Sequence, residues 1–204
     1  MKRHLPRLHA VTDNSILELT NFSDLARALS LGNDVALHIR SGRLGGKRLT
    51  ELAQQVKAVC ESHGTVVLVN DRADVARAAG VDGIHLPSAG LPLSAARSLL
   101  GEDALIGRST HSIDEACEAA NEGVDYVFLG PIWPTRSHPD RAPLGTAALS
   151  AVQHVPVIAI GGVEPERVRL AMDAGAYGVA AISSLWHAPD PHAAAESMLL
   201  SFNA

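Results

Sequence analysis

Four times along the chain an alanine-rich stretch with helical spacing stops at a glycine, and a short apolar run follows at once. The joins are residues 28–32 before 35–39, 76–80 before 83–86, 119–123 before 126–129, and 171–175 before 178–182. Glycine readily takes the left-handed backbone that closes a helix, so each join predicts a helix end leading into a strand. Further apolar runs at 8–11, 66–69, 104–106 and 155–160 bring the expectation to about eight strands alternating with about eight helices. These runs are apolar almost throughout and do not alternate with period two, which is the pattern of parallel strands covered on both faces. An open doubly wound sheet competes with a closed barrel. Eight units in so short a chain, with no dinucleotide-type glycine fingerprint after the first strand, favour a single α/β domain over residues 1–204, a (β/α)8 TIM barrel.

The clearest ligand signature lies at 155–186. An apolar run ends on Gly161-Gly162, and a helix then opens at Glu164-Pro165, with proline where its missing N–H costs nothing. The next apolar run, 177–182, ends on Ser183-Ser184. Bare glycine backbone admits close approach, and N–H groups at a helix start suit an anion. Gly161, Gly162, Ser183 and Ser184 are therefore candidate phosphate ligands, against the simpler reading of a tight strand-to-helix turn.

In such a barrel the chemistry collects where strands run into helices. Thr12-Asp13 reads as a polar turn. The second strand supplies His38 and Arg40; an arginine ending a buried strand calls for an anion partner. The third ends in Asn70-Asp71-Arg72, where capping of the next helix accounts for Asp71. The fifth leads through Ser109 to Thr110-His111-Ser112, and Ser112 with Glu115 has capping-box spacing. His111 would then sit just outside a helix start, which keeps imidazole neutral and suits proton transfer, or it packs as a staple. The long loop 130–145 offers Thr135, Arg136, Ser137 and His138 as a lid over an anion, or stands as an exposed loop.

Composition narrows the ligand. The 204 residues are 47% hydrophobic, with a net charge of −5 and no basic run, so neither nucleic acid nor a membrane surface has electrostatic support. No apolar stretch reaches the roughly 18 to 20 residues that span a bilayer. A small molecule, met in the cytoplasm, is the expected partner. Cys60 and Cys117 show no metal spacing, and most of the ten histidines read as solvent-facing without a zinc-type motif.

Taken in order, the segments 8–13 (LHAVTD), 37–40 (LHIR), 69–72 (VNDR), 107–112 (GRSTHS), 125–131 (DYVFLGP), 158–162 (IAIGG) and 180–183 (AAIS) resemble the thiamine phosphate synthase and TenI superfamily of small (β/α)8 barrels. The resemblance implies a thiazole phosphate ligand, with its phosphate at Gly161-Gly162 and Ser183-Ser184. It also implies one of two activities. The synthase joins a hydroxymethylpyrimidine pyrophosphate to thiazole phosphate with magnesium between two aspartates, a Gln-x-Arg-x-Lys set and a lid lysine. Here Asp71 holds one metal position and Gly90 the other; His38 replaces the glutamine, Arg40 matches, Gly42 replaces the first lysine and His138 stands in the lid.

The TenI-type branch is a thiazole tautomerase, and the runs 86–88 and 106–109 look like it. These departures make a tautomerase the expected function: an isomerase without cofactor, with His111 as the proton-transfer group and little synthase activity. His38, Arg40, Asn70, Ser109, Thr135 and His138 are the candidate substrate contacts. Synthase activity, with magnesium at Asp71, is the alternative, supported by the synthase-like run 131–135. A catalytically silent regulator and a phosphate-binding barrel isomerase of another pathway are further readings. Barrels of this size commonly pair, so a homodimer is expected.

Overall fold

A computed structural model of the protein describes residues 4–137 and 139–202. Eight parallel strands, β1 (Leu8–Val11), β2 (Val35–Ile39), β3 (Val66–Asn70), β4 (Gly83–Leu86), β5 (Leu105–Thr110), β6 (Tyr126–Leu129), β7 (Val157–Ile160) and β8 (Gly178–Ala181), form a closed barrel in chain order. Leu8 is in register with Val35 on one side and Val179 on the other, which closes the sheet and excludes the open doubly wound alternative. The fold is a (β/α)8 barrel. Around it lie α1 (Asn14–Leu17), α2 (Phe22–Ala28), α3 (Gly46–Cys60), α4 (Ala73–Ala79), α5 (Leu93–Leu100), α6 (Ile113–Glu122), α7 (Ala147–Ala151), α8 (Pro165–Asp173), α9 (Ser183–Trp186) and α10 (Pro191–Leu200). No helix among the described residues is long and apolar enough to cross a membrane.

Gly80, Gly123 and Gly175 act as the expected helix stops, whereas α2 ends at Ala28, short of Gly32. Gly80 and Gly123 close α4 and α6 with φ of 64° and 87°, and their N–H groups reach back to carbonyls of the last turn. Two aspartates just before strands do a related job at the same end of the barrel, in the joins that lead from helix to strand. Asp82 accepts from Val67 N at 2.8 Å and from Lys57 Nζ at 2.6 Å; Asp125 accepts from Ile106 N at 2.8 Å and from Arg97. Each carboxylate stitches a strand start to a neighbouring strand and to a helix.

The strands divide two cores. Outward residues such as Leu37, Ile39, Val67, Val69 and Val127 pack under the helices, while Val11, Ala36, Leu68, Tyr126, Phe128, Ile158 and Ala180 fill the barrel interior. The fifth strand runs to Thr110, four residues past the expected end of 104–106. Gly107 lies within this strand, and the position calls for glycine because a Cβ there would lie 2.1 Å from the Tyr126 ring. The eighth strand stops at Ala181, and Ser183-Ser184 open the single turn of α9.

His4, His63, His154, His187 and His192 are exposed, as most of the histidines were expected to be, whereas His9, His38 and His85 are buried inside the barrel among Tyr126 and Phe128. They occupy inward positions on strands whose other face is also covered.

Candidate active site

One cavity of about 750 Å³ opens at the carboxyl ends of the strands, within the range of small-molecule sites. Gly161, Gly162, Ser183 and Ser184 line one side, Arg40, Asn70, Asp71, His85 and Ser109 line the other, and Pro134–Ser137 border it from the long loop. Because strands lie in chain order around a closed ring, β3 stands across the barrel from β7. The glycine turn and the Asn70 wall therefore face each other.

The glycine turn is fixed from above. Gly161 and Gly162 have φ of 92° and 67°, a region that penalises side chains. Ile132 N donates to Ile160 O at 2.9 Å and Trp133 N to Gly161 O at 3.1 Å, so the stem of the long loop lies on the turn. A Cβ on Gly161 would come 2.6 Å from Pro131 Cβ, and one on Gly162 would come 2.5 Å from Pro134 O. The contacts and the positive φ values account for both glycines as a tightly packed turn, whose residues also line the cavity. Ser184 Oγ donates to Val163 O at 2.7 Å, which joins the end of β8 to the loop after β7 and commits that hydroxyl to the scaffold.

Arg167 is a cavity residue that the sequence reading passed over. Its guanidinium donates to Gly162 O and lies 5.5 Å from the Trp133 ring centroid. A signal was present: an arginine in the first turn of α8 opposes the helix dipole, so a nearby acceptor or anion is needed to hold it there.

On the opposite wall, Arg40 follows β2 directly and is exposed at the cavity rim, so the argument that burial demands an anion partner does not apply to it. Its N–H donates to Thr12 Oγ1 at 2.8 Å. Asp71 does not cap the next helix. It sits at φ 66°, its N–H donates to His85 O at 2.9 Å, and the N-cap position of α4 is Arg72, which has no side-chain cap bond.

His85 lies in the cavity floor. Its Nε2 is 2.9 Å from Ser109 Oγ and its Nδ1 is 3.1 Å from Tyr126 Oη. Burial holds its imidazole well below the ordinary value. His38 does not line the cavity: it is fully buried beneath it, 2.9 Å from His9 and 3.2 Å from the Asn70 amide. Thr135 lies on the cavity, and its Oγ1 accepts from Ser137 N at 3.3 Å. His138 lies outside the described residues.

His111 also lines the cavity. The capping box forms as spaced: Ser112 Oγ accepts from Glu115 N at 3.1 Å, and the Glu115 carboxylate accepts from His111 N at 2.8 Å. The His111 Nδ1–H donates to Gly130 O at 3.1 Å, which ties the mouth of β5 to the start of the long loop.

The synthase pattern would place magnesium between two carboxylates. Of its two positions only Asp71 supplies one, and among the described residues no group of three or more His, Cys, Asp or Glu is arranged to hold a metal ion. Gly90 does not border the cavity, and a Cβ there would lie 2.8 Å from Pro87 Cδ. The residues present do not fit a two-carboxylate magnesium site.

Fold and cavity together define a (β/α)8 barrel with its candidate ligand site at the carboxyl ends of the strands. The chain belongs to the thiamine monophosphate synthase family, whose profile, described as "Thiamine monophosphate synthase", matches residues 8–185. It is 38% identical over 198 residues to a thiamine-phosphate synthase of Chlorobium phaeovibrioides, covering 95% of this chain and 93% of the relative. It is 40% identical over 195 residues to the thiamine-phosphate synthase of Methanoculleus marisnigri, covering 94% and 92%. Among solved structures, thiamine phosphate pyrophosphorylase from Pyrococcus furiosus aligns with a TM-score of 0.80 at 27% identity, over 97% of this chain and 95% of that one.

These relatives overturn the expected tautomerase. They are named as synthases, which are transferases and not isomerases, and the likeness runs along almost the whole chain. Of the substitutions that favoured an isomerase, Gly42 and Gly90 are loop positions, where side chains vary without disturbing the barrel, and His138 lies outside the described residues. With the isomerase goes the expectation of little synthase activity, and with it the proton-transfer role of His111.

Proposed function

We propose that the protein is a thiamine-phosphate synthase that joins hydroxymethylpyrimidine pyrophosphate to thiazole phosphate. One observation carries the reading: a single cavity sets the bare turn at Gly161-Gly162 across the barrel from Arg40 and Asn70, so that two substrates meet between two differently built walls. The thiazole phosphate binds by its phosphate at Gly161, Gly162 and Ser183, with Ser184 holding that turn together. The pyrimidine lies over His85, Asn70 and Ser109, and its pyrophosphate extends to the rim, where Arg40 and Arg136 meet it.

In the step itself the thiazole nitrogen forms a bond to the pyrimidine methylene carbon as the bond from that carbon to the pyrophosphate oxygen breaks. The electron pair leaves with pyrophosphate, and no proton changes place. The chain contributes alignment of the two reactants and positive charge where the leaving group gathers negative charge. Arg40 and Arg136 supply that charge in a site with Gly42 where a lysine is expected. His111 helps by holding the loop stem at Gly130.

The test is direct: incubate the purified protein with both substrates, with and without magnesium, and follow thiamine phosphate and pyrophosphate together. Equimolar appearance of the two products is the expected result. Absence of both under either condition overturns the reading.

A further inference from the structure

Below the cavity a line of hydrogen-bonding groups runs inward to the start of β1, and its far end determines its direction. His9 Nε2 lies 3.0 Å from the carbonyl oxygen of Pro6, His9 Nδ1 lies 2.9 Å from His38 Nε2, and the Asn70 side-chain amide meets His38 Nδ1 at 3.2 Å through its Oδ1 position. His9 and His38 are fully buried, and rings of Tyr126 and Phe128 pack around them. Burial holds the His9 imidazole well below its ordinary value and pushes His38 down to about 3, so each ring carries one proton at neutral pH.

A carbonyl oxygen only accepts. His9 must therefore donate from Nε2, which leaves a lone pair on Nδ1. His38 Nε2 must supply the proton between the rings, which leaves a lone pair on His38 Nδ1. That lone pair needs a donor, and Asn70 offers one only through its amide nitrogen. The amide placed with its oxygen toward His38 would require both rings to reverse, setting the His9 Nε2 lone pair against the Pro6 carbonyl. Which end of an amide faces a partner is decided by this kind of accounting.

We propose that His9 is a positioning residue: acting through His38, it turns the Asn70 amide so that its nitrogen faces His38 and its oxygen faces the cavity. The β3 wall of the cavity then accepts a hydrogen bond, takes a ligand group that carries an N–H or O–H donor, and disfavours one that presents only a lone pair. On the synthase reading, on which this last step rests, the ligand at that wall is the pyrimidine, whose ring amino group is such a donor.

The tautomers are read on the wild-type protein labelled with 15N-histidine, by long-range proton–nitrogen correlation at neutral pH. Both His9 and His38 are expected as the Nε2–H form. His38 found as the Nδ1–H form overturns the proposal.

In His9→Phe, His38 loses its acceptor. The KM for the pyrimidine pyrophosphate is expected to rise about 10-fold, the order expected for one hydrogen bond, while kcat and the KM for thiazole phosphate stay within about 2-fold. Equal rises in both KM values would mean general loosening and overturn the positioning role. The tautomer measurements need no substrate and hold for the wild type even if His9→Phe does not fold. Failure of the reaction with the expected tautomers therefore strikes the assigned activity and leaves the hydrogen-bonded line intact.

Discussion

Ser184 Oγ donates to the carbonyl oxygen of Val163 at 2.7 Å, a bond across two chain segments that meet only because β7 and β8 are neighbours. It makes the turn after β7 and the end of β8 one unit. Ser184→Ala removes this tie, and one such bond contributes about 1 kcal/mol. The KM for thiazole phosphate should rise about 3- to 10-fold with a smaller change for the pyrimidine substrate, as steady-state kinetics with each substrate varied would show. Equal effects on both substrates would place Ser184 outside the phosphate turn.

Gly162 combines a φ of 67° with a Cβ position 2.5 Å from Pro134 O and 2.8 Å from Trp133 Cβ. Gly162→Ala therefore forces either the turn or the loop stem to move, at a cost of about 1–3 kcal/mol. Urea unfolding should report that loss, and thiazole phosphate binding by calorimetry should weaken with it. An alanine variant with unchanged stability would mean that the stem is free to shift.

Arg40 stands exposed at the rim, opposite the glycine turn. Arg40→Met keeps most of the side-chain volume and removes the charge. Binding of the pyrimidine pyrophosphate should fall about 10-fold at low salt, with the difference from wild type narrowing as ionic strength rises. A loss confined to thiazole phosphate would move Arg40 to the other substrate.

Acidification tests the buried histidines. His9, His38 and His85 all have folded-state pKa values lowered by burial, His38 to about 3, against about 6.5 in the unfolded chain. Below pH 6.5 the unfolded state binds more protons, so stability is full above that pH and falls as pH drops through the window toward 3. Each histidine contributes up to about 1.4 kcal/mol per pH unit there, and three together about 4 kcal/mol per unit. Unfolding free energies measured from pH 7.5 to 5 should decline with a slope approaching three protons. A flat profile would show that these rings are not held neutral.

What the linear chain determined is the architecture and the family. Helix ends at glycine followed by apolar runs are local events, set by backbone freedom and by burial within a few residues, so the barrel could be expected before any contact was known. Gly161-Gly162 and the capping box at Ser112 and Glu115 were legible for the same reason: each motif satisfies its own backbone groups nearby. The departures at Gly42, Gly90 and His138 were equally visible, but they pointed to the wrong activity, because likeness along almost the whole chain outweighs three single positions.

The tertiary structure alone decided which way the strand residues face. A strand buried on both sides lacks the alternation that separates inside from outside, so nothing local shows that His9, His38 and His85 point into the barrel, or that His38 stops short of the cavity. Arg40 at an exposed rim and Asp71 at a positive φ, away from the helix it was expected to cap, depend on how the strand ends meet their loops. The line from Pro6 through His9 and His38 to Asn70 spans 64 residues of sequence, and it exists only because β1, β2 and β3 are hydrogen-bonded side by side.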